Sequence, residues 1–313
     1  MWRFKMHKSV LLNETIKNLN IRDNLIYVDA TLGYAGHSRG VLKKLKKGFL
    51  FAFDQDRQAI AYSDKVLSGI SDSYEIIHSN FVNLKEELLK RNVTGIDGIM
   101  FDLGVSSPQL DNAERGFSYH HDALLDMRMN KEDKLTAYDV VNNYSLEKLI
   151  DIFFKYGEEK YAKSIARKIV EYRSNKKIET TLELVSIISS AVPEKYKRDG
   201  HPARKVFQAI RIEVNNELEA FSKALEDAIE LLNVGGRICV ITFHSLEDRI
   251  CKKTFKKYSE VSEVVKGLPN IPEQYKPVLK IIGRYTPKKD EINNNNRARS
   301  ATLRVAEKIR KDD

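Results

Sequence analysis

The chain has 313 residues, of which 42% are hydrophobic and 31% charged, and its formal net charge is +9 at pH 7. This length exceeds what one hydrophobic core usually supports, so we expect two domains. No apolar run reaches the roughly 18 residues of a membrane span, and the first residues lack the apolar core of a signal peptide. We therefore expect a cytoplasmic protein with no membrane partner. The net positive charge favours a polyanionic binding partner.

The two cysteines give no sign of disulfide or zinc chemistry. Cys239 lies in an apolar strand-like run and Cys251 in a predicted helix, and we interpret both as reduced packing residues. Because no spaced set of histidines and cysteines accompanies them, we expect no structural metal site.

The first predicted strand leads into a loop that is typical of a nucleotide-binding corner. The apolar run 25–28 is followed by residues 29–38, DATLGYAGHS, and then by a helical pattern over 39–47. Strand, loop and helix in this order form the ligand-binding corner of a doubly wound α/β sheet. Neither glycine-rich fingerprint for a diphosphate is present. We therefore predict a nucleoside cofactor without a diphosphate, with S-adenosylmethionine as the leading candidate.

The second and third predicted strands each end beside a candidate cofactor residue. The run 48–53 ends in Asp54, where a carboxylate can accept hydrogen bonds from both ribose hydroxyls, as it also does in NAD enzymes. The run 74–78 is followed by Phe81, whose ring can lie against adenine. The alternative is that Phe81 is a core residue at the start of the next helix, because large aromatic side chains are usually buried.

The fourth predicted strand indicates the class of chemistry. Residues 96–101 run into the segment DLGVSSPQ, which begins at Asp102. Ligands of open α/β sheets lie beyond the carboxyl ends of the strands. Amino-group methyltransferases place a short acidic or amide motif with a proline here, and its oxygens accept hydrogen bonds from the amine. Asp102 is therefore the candidate catalytic residue, and the alternative is that it caps the following turn.

The spacing of apolar residues changes from a mixture of strand and helix patterns to helix patterns alone after residue 113. Segments 144–156, 159–172, 182–191 and 202–232 have apolar residues at helical spacing, and strand-like runs resume at 237–243, 277–283 and 301–305. We therefore predict an α/β fold with a class I (Rossmann-like) seven-stranded sheet of methyltransferase type. The sheet domain comprises residues 1–113 and 213–313, and residues 114–212 form an inserted all-helical domain.

Basic residues cluster in the predicted insertion and near the C-terminus. Residues 195–205 read KYKRDGHPARK, and a second group contains Lys288, Lys289, Arg297, Arg299 and Arg304. A run of charge is often only a solvated surface. Its mixture with Gly, His and Pro favours a loop that contacts RNA, so we interpret the insertion as an RNA-recognition domain.

Longer motifs in the chain resemble those of a single family. They are HKSVLLNE (7–14), DLGVSSPQLD (102–111), RGFS (115–118), LDMRM (125–129), FQAIRIEVN (207–215), FHSLEDR (243–249) and RARSA (297–301). With these motifs, the chain closely resembles the ribosomal RNA small subunit methyltransferase H family from about residue 7 to the C-terminus. The resemblance implies S-adenosylmethionine-dependent methylation of cytosine N4 in the decoding region of 16S rRNA, within the small ribosomal subunit.

The resemblance also assigns the cofactor-binding residues. They are Ala35, Gly36 and His37 in the family's Gly-Gly-His loop, Asp54 for the ribose, Phe81 for the adenine, Asp102 after the fourth strand, and Gln109. Ala35 replaces the family's first glycine, so it needs a conformation acceptable to an L-residue and can act only through its N–H or C=O. His37 has an alternative role as a hydrogen-bonding residue at a helix N-terminus.

Several assignments stay open. A dehydrogenase would need a diphosphate loop, and a non-catalytic RNA-binding protein would leave the series of cofactor residues unexplained. Phe117 and Tyr119 are candidates for stacking on the target base, because Gln109 stands where related enzymes have an aromatic residue. His244 is interpreted as a pocket contact or a helix-start residue, since no nucleophile elbow accompanies Ser245. The sequence leaves a homodimer open.

Overall fold

The computed structural model describes residues 9–261, 263–265 and 267–311, so His7 of the N-terminal motif lies outside the described residues. Contacts divide the chain into two compact units: a sheet unit of residues 1–104 and 218–313, and a helical unit of residues 105–217. The helical unit begins nine residues earlier (114 − 105) and ends five residues later (217 − 212) than the insertion predicted from the spacing of apolar residues. The earlier start follows from Val105 and Leu110, which pack against the helical core, and the later end from Val214, which is buried in it.

The sheet unit contains one seven-stranded sheet with the order β3-β2-β1-β4-β5-β7-β6. The strands are β1 Ile26–Asp29, β2 Phe49–Asp54, β3 Tyr74–His78, β4 Ile96–Asp102, β5 Leu232–Thr242, β6 Leu279–Tyr285 and β7 Thr302–Lys308. Strands β1 to β5 pair in parallel, and β7 pairs antiparallel with both β5 and β6. This sheet confirms the predicted fold class. The order reverses between β1 and β4, which places a ligand-binding crevice at their carboxyl ends.

Helices follow the parallel strands and then fill the insertion. In the sheet unit the first four are α1 Leu12–Asn18, α2 Gly36–Leu42, α3 Arg57–Leu67 and α4 Leu84–Leu89. The helical unit holds α5 Ser107–Asp111, α6 Ala137–Asn143, α7 Leu146–Lys155, α8 Ala162–Arg173, α9 Thr181–Ser190, α10 Glu194–Arg198 and α11 Arg204–Asn215. The chain continues with α12 Glu217–Leu231, α13 Ser245–Ser259 and α14 Lys289–Asn294. No helix of the described residues is both long and apolar enough to cross a membrane.

The central strands are buried on both faces, which explains their unbroken apolar sequences. Residues 50–53 of β2 and 238–241 of β5 are all buried. Parallel strands covered by helices on both sides lack the alternation of a half-exposed strand. The apolar runs therefore identified these strands to within a few residues.

Two local predictions were wrong because a single residue departs from regular geometry. The segment 202–232 is not one helix, since Asn216 adopts φ 48° and ψ 39° between α11 and α12. The strand predicted over 237–243 begins earlier, at Leu232, so Gly235 and Gly236 lie inside β5. There Gly235 has φ 86° and the pairing of β4 with β5 shifts register, as in a bulge.

The helical unit has its own core, formed by residues from all its longer helices. Arg115 is 2% exposed, and its guanidinium donates to the carbonyls of Arg128 and Met129 at 3.0 and 2.9 Å. Phe117 is 5% exposed and belongs to this core. The proposal that Phe117 stacks on a target base is therefore wrong, because its ring packs inside the protein. Tyr119 is partly exposed and stacks on His201 at a centroid distance of 4.4 Å.

Candidate active site

The carboxyl end of β1 is joined to the end of β4 by a buried hydrogen-bond network. Asp29, the last residue of β1, accepts hydrogen bonds from the Thr31 N–H at 3.0 Å and the Ser38 hydroxyl at 2.7 Å. Thr31 in turn accepts a 2.7 Å hydrogen bond from the Asp102 N–H through its Oγ1. Burial raises the pKa of Asp29 to about 6, against the lowering effect of its hydrogen bonds. This network fixes the loop after β1 relative to Asp102.

Asp54 is the last residue of β2, and its carboxylate binds the loop that follows β1. Its Oδ2 accepts the Gly33 N–H and its Oδ1 accepts the Asp56 N–H, both at 2.8 Å. Gly33 has φ 49°, a conformation that favours glycine, and its carbonyl accepts a hydrogen bond from Ser63 at 2.7 Å. Burial raises the pKa of Asp54 to about 7. Each carboxylate oxygen has a second lone pair, so the hydroxyl pair of a ribose can still bind here.

Ala35 lies in the left-handed region, with φ 60° and ψ 19°. Its N–H donates to the Leu32 carbonyl and its own carbonyl accepts the Arg39 N–H, both at 2.9 Å. The N–H is thus used within the protein, whereas the second lone pair of the carbonyl oxygen can still accept a hydrogen bond. The expectation that Ala35 acts on a ligand through its backbone therefore stays a prediction. The left-handed turn starts α2, which is why a glycine is the residue to expect there.

We predict that Ala35→Gly changes the free energy of unfolding by no more than about 1 kcal/mol. Relief of the left-handed strain, about 1–2 kcal/mol, offsets the added flexibility of the unfolded chain and the lost buried methyl group. Ala35→Val should destabilise the protein by about 2 kcal/mol or more, since a β-branched residue fits this conformation poorly. Urea unfolding of both variants measures the difference. A loss above about 2 kcal/mol for Ala35→Gly would show that the methyl packing dominates instead.

Gly36 is required by packing against the N-terminal segment. A β-carbon on Gly36 would lie 1.7 Å from the Oγ of Ser9, so no larger residue fits without moving Ser9. Val10 and Leu11, which follow Ser9, are buried in the same core cluster as Ala35. The N-terminal motif and the loop motif thus form one packed structure.

His37 links that N-terminal segment to Asp102. The histidine is 4% exposed, its Nε2 lies 3.1 Å from the Val10 carbonyl oxygen, and its Nδ1 lies 3.5 Å from Asp102 Oδ2. If Nε2 carries the proton donated to Val10, the lone pair of Nδ1 faces Asp102. His37 therefore contacts both the N-terminal segment and the Asp102 carboxyl, and its assignment to the cofactor stays a prediction.

Asp102 has an oxygen with no partner. Its side chain is 22% exposed, yet Oδ1 is buried and has no hydrogen-bond partner within the described part of the chain. Burial raises the pKa of Asp102 to about 8, and the carboxylates of Asp29 and Glu247 add to the rise. The alternative that Asp102 caps the next turn is wrong, because Ser106 is the N-cap of α5.

Phe81 and Gln109 have local roles that leave their cofactor assignments as predictions. Phe81 begins a 3₁₀ turn after β3 and packs edge-on against Phe101, with centroids 6.0 Å apart. It is half-buried, so part of the ring stays accessible. Gln109 is 8% exposed, and its Oε1 accepts the Ser106 N–H at 3.0 Å in a capping box. The Ser-x-x-Gln spacing signals such a box.

His244 and Glu247 form a second pair, next to the end of β5. His244 is the N-cap of α13, and its Nε2 lies 3.1 Å from Glu247 Oε1. Sequence reasoning gave no role to Glu247, Asp29 or Thr31. The position of Asp29 at a strand end, and the three-residue spacing from His244 to Glu247, were the available signals.

The residues at these strand ends fit S-adenosylmethionine. Asp54 offers a carboxylate for a ribose, Phe81 follows β3 with part of its ring accessible, and Asp102 presents a buried oxygen that has no partner among the described residues. The loop between β1 and α2 has no diphosphate cradle. When bound, the cofactor supplies an electrophilic methyl group. Sheet order and strand-end residues together define a methyltransferase that uses S-adenosylmethionine.

The chain belongs to the MraW methylase family, whose model matches residues 4–309. This is the family of the small subunit methyltransferase H motifs, so the predicted family and the cofactor are confirmed. A dehydrogenase and a non-catalytic RNA-binding protein are thereby excluded.

A comparison with solved structures gives alignments over nearly the whole chain at low identity. A putative rRNA methylase from Clostridium thermocellum is 14% identical, with a TM-score of 0.46. The alignment covers 97% of this chain and 100% of that one. An rRNA methylase from Streptococcus thermophilus is 16% identical, with a TM-score of 0.43, and covers 97% and 99%. A putative methyltransferase from Streptococcus mutans, solved with SAH, is 14% identical with a TM-score of 0.43 and covers 97% and 100%.

Proposed function

We propose that this protein methylates N4 of a cytosine in the decoding region of 16S rRNA, within the small ribosomal subunit in the cytoplasm. The observation that carries the proposal is the buried Oδ1 of Asp102, which has no partner among the described residues. An exocyclic amine donates hydrogen bonds and fits such an oxygen. The choice of cytosine and of 16S rRNA rests on the motifs of the small subunit methyltransferase H family.

The reaction needs activation of a weak nucleophile. The lone pair of cytosine N4 is delocalised into the ring, and a hydrogen bond from N4 to Asp102 favours the pyramidal geometry in which that lone pair points outward. Asp102 is held in place by its N–H bond to Thr31 and by His37. Alignment of the two reactants by such a fixed site can contribute about 7–11 kcal/mol.

The basic segment of the helical unit suits the backbone of an RNA substrate. Lys195, Arg198 and Arg204 are exposed in and around α10. Each phosphate that they neutralise releases counterions, so substrate binding should weaken steeply with salt. The target base must leave its stack to reach a carboxyl at the end of a strand, which favours an RNA region that is already open.

Nucleoside analysis tests this proposal. Small subunits lacking the modification are incubated with the protein and methyl-labelled S-adenosylmethionine, and the digested 16S rRNA is examined by mass spectrometry. We expect label in N4-methylcytidine with the wild-type protein and a loss of at least about 100-fold with Asp102→Ala. Asp72→Ala, a change at an exposed position, is the control and should leave the rate unchanged.

Two results would contradict the proposal. One is label that appears in a different nucleoside or in another RNA. The other is N4-methylcytidine formed at the wild-type rate by Asp102→Ala.

A further inference from the structure

The ends of β4 and β5 lie side by side in the sheet unit. Asp102 pairs with Ile241, and the Leu103 N–H donates to the Ile241 carbonyl at 3.1 Å. Two residues further along both strands, a β-carbon on Gly104 would lie 3.8 Å from the Phe243 ring. His244 comes next in the chain. His244 therefore lies at the same edge of the sheet as Asp102 and its unpartnered oxygen.

Glu247 fixes the position of His244 from the first turn of α13. The carboxylate is 2% exposed, and its Oε2 accepts the N–H groups of Phe243 at 2.7 Å and His244 at 3.3 Å. Its Oε1 lies 3.1 Å from Nε2 of the His244 ring. That contact is off the direction of a hydrogen bond, so it acts mainly as an electrostatic attraction. A carboxylate beside Nε2 favours the tautomer in which Nε2 carries the proton.

The other ring nitrogen of His244 has no partner. Nδ1 is buried and forms no hydrogen bond with any described residue. With Nε2 protonated, Nδ1 carries a lone pair and is a proton acceptor. A buried acceptor that the protein leaves unsatisfied has a cost of about 1–3 kcal/mol, which a ligand that donates a hydrogen bond removes.

We propose that His244 is a catalytic residue that accepts the proton lost by the methylated amine; this rests on the proposed function. In the transfer, the bond from sulfur to the methyl carbon breaks with its electron pair left on sulfur, and N4 forms the new bond to that carbon. N4 is then positively charged and passes one proton to Nδ1 of His244. The imidazolium is stabilised by Glu247 and releases the proton to solvent after the product leaves. Atoms and charge balance with no further reactant.

The neighbouring groups are less suited to this step. The Nε2 of His37 is occupied by the Val10 carbonyl, and its Nδ1 faces Asp102. The raised pKa of Asp102, about 8, leaves that carboxyl largely protonated at neutral pH until a cation binds beside it. The charged group that contacts His244 is Glu247 on its own helix. Glu247 also acts electrostatically on Asp102, as does Asp29 on β1.

Steady-state kinetics of His244→Ala and His244→Gln test the assignment. We expect kcat to fall by about 10²–10⁴-fold, while KM for RNA and the affinity for S-adenosylhomocysteine stay within about twofold. Added imidazole should restore part of the rate of His244→Ala, an effect that a purely structural role would not produce. His121→Ala, at an exposed histidine of the helical unit, is the matched control.

Two measurements distinguish a failure of the His244 assignment from a failure of the proposed function. The identity of the product nucleoside with the wild-type protein reports on cytosine N4, whereas the ratio of variant to wild-type rates reports on His244 whichever amine is methylated. A kcat of His244→Ala within threefold of wild type, or a loss confined to cofactor affinity, would overturn the role of His244. Glu247→Gln, which keeps the carbonyl acceptor for the backbone, should lower kcat less than His244→Ala does.

Discussion

Asp54→Ala is expected to weaken S-adenosylmethionine binding by at least about 100-fold. A carboxylate that accepts two ribose hydroxyls makes two charge-assisted hydrogen bonds of about 1.5–3 kcal/mol each, and about 1.4 kcal/mol corresponds to a factor of ten in affinity. The variant also releases the Gly33 and Asp56 N–H groups that the carboxylate holds. The loop after β1 then loses its anchor on β2, which adds to the loss.

Calorimetric titration with S-adenosylhomocysteine measures this effect. Asp72→Ala, at an exposed position just before the start of β3 and so away from the carboxyl ends of the strands, serves as the control for removal of an acidic side chain. RNA binding by Asp54→Ala should remain at the wild-type level, because the basic segment lies in the helical unit. Wild-type affinity for S-adenosylhomocysteine in Asp54→Ala would remove the ribose assignment.

The strands and their terminal acids could be predicted from the sequence because both depend on local pattern. Parallel strands buried on two faces read as apolar runs, and β3 matches its predicted bounds at Tyr74–His78. Since ligands bind at the carboxyl ends of such strands, Asp54 and Asp102 followed from position alone. The break at Asn216 did not, because the apolar spacing continues through it and only the backbone changes conformation.

The pairs that give these acids their properties could not be predicted, since they join distant parts of the chain. His37 contacts Val10, 27 positions earlier, and Asp102 on β4. Gly36 is needed because Ser9 packs against it. Neither contact leaves a periodic signal in a single sequence. The same holds for the desolvation that raises the pKa values of the buried carboxyls, which depends on everything packed around them.

Asp102→Asn is expected to remove a pH dependence from cofactor binding as well as most methyl transfer. In the protein without ligand, the pKa of Asp102 is raised from 3.8 to about 8, chiefly by burial. A carboxyl whose pKa is higher in the folded state binds more protons when folded, so it makes stability fall as pH rises between about 4 and 8. Removal of this ionisable group should therefore raise the melting temperature of the unliganded protein at pH 8.5 relative to wild type, and have little effect near pH 4.

Binding of a cation reverses the sign of this linkage. The sulfonium of S-adenosylmethionine favours ionised Asp102, so below pH 8 binding must release the Asp102 proton, and the affinity should rise with pH by up to about tenfold per unit. S-adenosylhomocysteine carries no sulfonium charge and shares every other contact, including those of Asp54, whose own raised pKa then cancels in the ratio of the two affinities. Titrations of both ligands between pH 6 and 9 should show this ratio rising in the wild type and flat in Asp102→Asn. A wild-type ratio independent of pH would mean that the sulfonium does not bind beside Asp102, because no other described carboxyl at this sheet edge combines burial with an unpartnered oxygen.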